Sequence, residues 1–344
     1  MMDLGQQILA SVYEKMMIDE EWSLQQADSF IWWGRELAQR AWCSEPVDND
    51  GVILQKLNFR TDLFQGYDGT PSQVGLLNLF ARMASTSALV RNDDDPGLIQ
   101  LATSLSIHKQ IEGWVTDLAA WACSLQAAEA YLLAAHSSGL MIEESGLSVA
   151  ASEHPDTGAR SVADDMLDII QYPVAPAGEQ PSAWAGEEME KVLELLRGPP
   201  CVLATGDGNG LCAEFPFGER TSLMRINTRE AHPRLGNGCL MTLTLPLPVD
   251  DVGKDNNWLG LNSLETGDQP APHLLGSWCR DDRGPTFVCF LPNVIHLPND
   301  LIHFSMSMAR RAQWVSDDVF GLDFVSDFDG ALERKMELWL GNSK

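Results

Sequence analysis

Seven histidines, seven cysteines and several paired aspartates are the groups in this sequence best equipped to do chemistry. A catalytic or structural metal needs ligands at set spacings. No HxH, HExxH or Cys/His pair occurs, and none of the cysteines at 43, 123, 201, 212, 239, 279 and 289 forms a CxxC. Asp164-Asp165, Asp250-Asp251 and Asp317-Asp318 are adjacent in sequence. Neighbouring side chains on a helix point apart, which is poor geometry for sharing a proton. His296 and His303 lie seven positions apart across Pro298, and His296 reads as a structural residue at a strand end. The cysteines mostly sit in apolar runs such as Trp121-Ala122-Cys123 and Phe287-Val288-Cys289-Phe290. That placement suits buried free thiols in a reducing, cytoplasmic setting.

Covalent and phosphate chemistry leave equally little trace. There is no GxSxG elbow to present a serine and no GxxxxGK[ST] phosphate cradle. Gly206-x-Gly208-x-Gly210 lacks dinucleotide-binding spacing and falls between two strand-like runs, so it reads as a hairpin turn. Asp207-Gly208-Asn209-Gly210 lacks the distal glutamate of a calcium loop. The expectation is a protein that is not an enzyme and carries no cofactor and no metal.

Charge narrows the partners. The 344 residues include 49 acidic and 23 basic side chains, a formal net charge of −26. Such a field repels nucleic-acid phosphates and anionic membrane surfaces, so neither is an expected partner. No secretory leader and no run of about 18 apolar residues is visible. A protein client, or a larger complex in which the chain is a subunit, fits the charge better.

The elements that would carry these residues form an alternating series. Residues 20–42 show apolar spacing that predicts a helix. Val52–Phe59 reads as a strand, Ser72–Ala84 as a helix, Leu98–His108 as a strand and 110–136 as a long helix. Residues 141–182 are rich in Ser, Gly, Pro and Ala and read as a connector with a short helix at 162–170. A helix at 185–197 follows. Strands at 201–205, 211–217, 222–227 and 239–245 are separated by Gly/Asn turns and predict an antiparallel meander. Helices at 258–265 and 297–314 flank a hairpin of 273–280 and 285–291, and a mixed tail runs from 320 to 340.

An internal repeat runs through this series. Setting residue n against n+188 places Asn92–Gly97 on Arg280–Pro285 and Ile107-His108 on Ile295-His296, with matching element order on either side. The expected fold is therefore α+β, with two related units, each an antiparallel sheet flanked by helices. Residues 1–140 would form the first unit, 141–182 the connector and 183–344 the second. Two such copies can pack as a pseudo-dimer within one chain, and a homodimer is compatible with the same surfaces.

Three apolar groups are candidates for partner binding. Trp32 and Trp33 crowd one segment with Phe30. Phe215 and Phe217 share one face of a strand, and Phe304, Met306 and Met308 bring aromatic and adaptable thioether groups to one helix. The order α-β-β-β-α-β-β-α resembles the type III secretion chaperone-like superfamily, including YbjN-like proteins. The likeness rests on Val52–Phe59, Ser72–Ala84 and Leu98–His136 in one copy, and on Leu211–Phe217, Gly238–Leu245 and His273–Trp314 in the other. It implies a non-catalytic, chaperone- or adaptor-like protein that binds an extended client along sheet edges. An enzyme with a non-local site, or a structural subunit of an assembly, are the alternatives.

Overall fold

Ser29–Trp33, expected inside a helix, is a strand in the computed structural model of the protein. The structure describes residues 3–34, 36–49, 51–137, 141–158, 181–198, 201–232, 235–247, 257–267 and 275–322. The expected helix at 162–170 and most of the tail from 320 to 340 lie outside them. The fold is α+β with two antiparallel sheets. The chain divides into two units, Met1–Val174 with Lys254–Trp278, and Ala175–Gly253 with Cys279–Lys344.

In the first unit, helix α1 (Leu4–Lys15) opens on a capping box formed by Asp3 and Gln6. The helix expected over 20–42 is instead a 3-10 turn at Glu20–Trp22 followed by β1 (Ser23–Gln25), β2 (Ser29–Trp33) and β3 (Ala38–Cys43). The cause is burial on both faces of β2. Phe30 meets the Tyr13 ring of α1 at 5.4 Å, and Trp32 donates to Gln39 Oε1 at 2.5 Å. On the other face Ile31 and Trp33 pack with Trp22 and Ala38. A strand covered on both sides reads as an unbroken apolar run, and periodicity cannot separate it from a helix.

Beyond β3 come β4 (Val47–Asn49), β5 (Val52–Gln65), α2 (Pro71–Arg82), β6 (Ala88–Arg91), β7 (Ile99–Ile107) and α3 (Glu112–Ser137). The strand expected at 52–59 thus runs six residues further. The sheet order is β1-β2-β3-β5-β7-β6, with β4 and a later short strand, β8 (Ser148–Val149), added to β5. Between the sheet and α3 lies a polar network that every member completes. Gln126 donates to Phe59 O and Thr103 Oγ1, and accepts from Gln39 and Thr61. Buried amides are stable only when answered in this way, and such a network fixes one packing of the helix on the sheet. A short helix, α4 (Met141–Ser145), precedes β8.

The second unit starts with α5 (Glu187–Leu196) and continues as β9 (Leu203–Asp207), β10 (Gly210–Phe217), β11 (Arg220–Asn227) and β12 (Gly238–Thr244). The expected meander is present: β10 pairs with β11 from Gly210↔Asn227 to Phe217↔Arg220, and β12 pairs with β11 and β14. Asp207 Oδ1 accepts from Asn209 N and Gly210 N, which closes the β9–β10 turn. Helix α6 (Asn257–Thr266), β13 (Ser277–Asp281), β14 (Gly284–Pro292) and α7 (Asp300–Trp314) complete the series, and a π-helical turn at Val315–Val319 follows. The alternating inward residues Leu211, Ala213, Phe215 and Phe217 of β10 are buried where α7 packs.

The repeat is real in topology and inexact in register. The second sheet has the order β9-β10-β11-β12-β14-β13, which repeats β1-β2-β3-β5-β7-β6 strand for strand. The last helices begin 188 positions apart (300 − 112 = 188), but the middle helices begin 186 apart (257 − 71 = 186). Ile107 ends β7, whereas Ile295 ends a 3-10 turn placed after β14, so the pairing of Ile107-His108 with Ile295-His296 does not hold residue for residue.

Helix α6 belongs to the second copy by order and to the first unit by packing. Lys56 and Arg60, on one face of β5, donate to Gly267 O and Thr266 O at its C-terminal end. Cations there satisfy carbonyls that the helix cannot, and they complement its dipole.

Candidate functional site

Antiparallel sheets that do not close leave two edges, and each edge must be covered, paired or protected. In the first unit the β6 edge is covered. Asn262 of α6 donates to Leu89 O of β6 at 2.9 Å, and it meets Trp278 twice, accepting from its N–H and donating to its carbonyl. The opposite edge, β1, pairs only with β2 among the described residues. Exposed Asp19, Glu20, Glu21 and Asp28 lie just before and after it in the chain.

The second unit repeats the open edge at β9, which pairs only with β10 among the described residues. Val202 and Leu203 at its start are 60% and 51% exposed. Helix α5 packs beside it, burying Met189, Val192, Leu193, Leu195 and Leu196 and turning Glu187, Glu190 and Glu194 to solvent. The sequence places them so: the apolar positions recur at three and four residues, and Glu187, Glu190 and Glu194 share the remaining face with Lys191, which pairs with Glu187 at 2.9 Å. The product is an unpaired strand with apolar side chains at one end and a negative helix face alongside. Backbone N–H and C=O groups on such an edge can pair with an extended peptide, and the carboxylates favour a basic one.

One group of ionisable side chains gathers in the interior of the same unit. Glu188 Oε1 is 3.2 Å from His296 Nε2 and accepts the backbone N–H of Asn299 at 3.0 Å. Asn299 stands before the first residue of α7 with φ +74°, a left-handed conformation that few non-glycine residues adopt. Next to it Asp300 is 6% exposed. Burial, reinforced by the charge of Glu188, pushes the Asp300 carboxyl up to about 7. Glu188 Oε2, Asp300 Oδ2 and Trp184 Nε1 are buried with no hydrogen-bond partner among the described residues. The Trp184 ring stands edge-on to His296, with centroids 4.7 Å apart. Burial and Glu188 together raise the Cys239 thiol, and burial lowers His303.

Sequence spacing missed this cluster because Glu188 and His296 are separated by 108 residues. The only local signal was Pro298-Asn299-Asp300, a helix-start pattern following a histidine. Among the described residues no group of three or more His, Cys, Asp or Glu is placed to hold a metal ion, and no helix is long and apolar enough to cross a membrane.

The seven apolar candidates for partner contact are all buried: Trp32, Trp33, Phe215, Phe217, Phe304, Met306 and Met308. Trp32 serves the Gln39 network and Trp33 packs at 4.7 Å against the His154 ring. Phe215 and Phe217 line the buried face of β10, Phe304 stacks edge-on to Trp184, and Met308 lies against Arg311. The structure brings none of them to an exposed patch. Comparison with family models, with curated proteins and with solved structures finds no match to this chain.

Proposed function

We propose that the protein is a non-catalytic, acidic binding module, chaperone- or adaptor-like, that takes an extended basic segment of a protein client by strand addition. The observation that carries this reading is the unequal treatment of the sheet edges. The β6 edge is closed by Asn262, while the topologically matching first strands β1 and β9 each pair on one side only among the described residues, beside exposed carboxylates. The resemblance to secretion chaperone-like proteins supports the same reading in outline only, since each copy places four main strands, β1-β2-β3-β5 and β9-β10-β11-β12, before its middle helix where the α-β-β-β-α-β-β-α order has three. Free thiols without a disulfide fit a reducing, cytoplasmic compartment. The net charge of −26 argues against nucleic acid and anionic lipid as ligands.

The test is titration of the protein with a ten-residue alternating Lys/Val peptide, read by heat and by amide chemical shifts. Binding should perturb the amides of Leu203–Asp207, weaken with added salt, and fall roughly tenfold in Glu190→Lys/Glu194→Lys. An alternating Glu/Val peptide should not bind. Equal binding of both peptides, or shifts that avoid β1 and β9, would overturn the reading.

A further inference from the structure

The outer edge of β9 is short, and both of its ends are closed. The two-residue turn Gly208-Asn209 makes Asp207 and Gly210 a bonded pair, so Leu203, Thr205 and Asp207 turn their backbone N–H and C=O groups to β10. Alternation leaves the groups of Ala204 and Gly206 pointing away from the sheet. On one side the row ends at Val202, whose N–H donates to Glu214 O at 2.8 Å. On the other it ends at Gly208, whose carbonyl accepts the N–H of Gly186, at the start of α5, at 2.6 Å. An added strand therefore has a single place on β9 to sit, opposite Ala204 and Gly206.

The side chains around that place differ between its two ends. Helix α5 runs back along β9, starting beside Gly208 and ending toward Val202, and it packs with α7 on the face that carries Leu211 and Ala213 of β10. Gly206 and Ala204 pair with those two residues and share their face. A Cβ on Gly206 would stand 2.5 Å from Gly210 O and 2.6 Å from Leu211 Cβ, so the strand stays bare there. Glu190 is exposed at the same end, its Oε1 3.8 Å from where a Cβ on Gly208 would lie. Of the nearby carboxylates, Asp207 is met by Arg229 at 3.3 Å and Glu187 by Lys191 at 2.9 Å. Glu190 is left without a cation among the described residues. The opposite end carries exposed Val202 and Leu203, and exposed Arg197 caps the end of α5 there. Strand β1 has no such contrast, since Glu20 and Glu21 precede it and Asp28 follows it.

We propose that the β9 edge reads the order of residues in its client, taking an antiparallel segment with a basic residue opposite Gly206 and, three positions later, an apolar residue opposite Leu203. Antiparallel pairing continues the pattern of the sheet, and it sets the order because the two chains run in opposite directions. The basic side chain lies on the α5 side, over the bare glycine, and reaches Glu190. A client of reversed order brings its cation toward Arg197 and its apolar side chain beside Glu190, so it loses both contacts. This names the client of the strand-addition site and rests on that reading.

Two peptides of one composition and charge, blocked at both ends, test the order on the full chain: Lys-Lys-Thr-Val-Val-Val and Val-Val-Val-Thr-Lys-Lys. The first should bind roughly tenfold more tightly in titration calorimetry and shift the amides of Leu203–Asp207. A nitroxide on its N-terminus should broaden the Asp207 and Gly210 amides more than that of Leu203, as antiparallel pairing requires. In Glu190→Gln, which alters an exposed side chain, the two peptides should bind within about twofold of each other. Equal affinities at β9, preference for the second peptide, or a preference that survives Glu190→Gln would overturn the proposal and leave strand addition standing. Shifts confined to Ser23–Gln25 would do the same. No shift at either edge with either peptide sinks both readings.

Discussion

Asn262 Oδ1 accepts the backbone N–H of Trp278 at 2.7 Å, while its Nδ2 donates to Leu89 O at 2.9 Å. One amide thus does for two strand segments what a further strand would do, and it does so at 1% exposure. Replacing it takes the partner from the buried Trp278 N–H and from the Leu89 carbonyl, while the Trp278 carbonyl keeps the Ser277 hydroxyl. Asn262→Ala should cost roughly 3 kcal/mol in urea unfolding, because each orphaned buried group costs about 1–3 kcal/mol. Asn262→Asp should cost at least as much, since its carboxylate would face Leu89 O and Trp278 O.

The C-terminal end of α6 offers a more local measurement. Lys56→Met and Arg60→Met keep most of the apolar stem and remove the donors to Gly267 O and Thr266 O. Each should cost about 1 kcal/mol. Hydrogen exchange should show lost protection confined to 257–266, with β10–β12 unchanged. A uniform loss across both sheets would contradict this account of how α6 is held.

Thiol reactivity should single out one cysteine. Cys123, Cys201, Cys239, Cys279 and Cys289 are buried, Cys43 is half-buried and Cys212 is exposed. Burial and the nearby Asp3 and Asp28 push the Cys43 thiol up to about 11, which deprives it of thiolate at neutral pH. Iodoacetamide applied to the native protein should modify Cys212 first, as peptide mass spectrometry would show. Early labelling of Cys239 would require a much more open second unit.

Stability should record the Asp300 proton as well. A carboxyl whose folded value is raised to about 7 from an ordinary 3.8 makes the folded chain hold a proton that the unfolded chain has lost. Its contribution therefore declines as pH climbs from about 4 to about 7 and is level above that. Across this window the wild type should lose roughly 2–4 kcal/mol more than Asp300→Asn in denaturant unfolding. Parallel curves for the two proteins would refute the assignment.

These residues also show how much the sequence could disclose. The meander of β10–β12 was legible because each strand buries one face and alternates cleanly, with Gly and Asn at the turns. Helices α2, α3 and α7 were legible from their apolar spacing. The segment 20–42 was not, since Phe30 and Trp32 bury on one side of β2 while Ile31 and Trp33 bury on the other, erasing the period of two. Of the interior cluster, the sequence places His296 at a strand end, whereas the structure sets it just after a 3-10 turn and beside Glu188. Its partner Glu188 comes from a helix 108 positions earlier, and nothing in local spacing links them. The aromatic and methionine candidates are all buried, which composition cannot disclose: it shows that a side chain is apolar, and only the fold shows what covers it.

The placement of α6 has a consequence for biosynthesis. Its carbonyl-capping lysine and arginine are made early, at 56 and 60, but the helix they receive ends at 266 and the strand that Asn262 pairs with begins at 277. A nascent first unit must therefore wait, with the outer side of β6 bare, until more than one hundred further residues have left the ribosome. Translation speed through that interval sets how long an adhesive strand is available to the wrong neighbour.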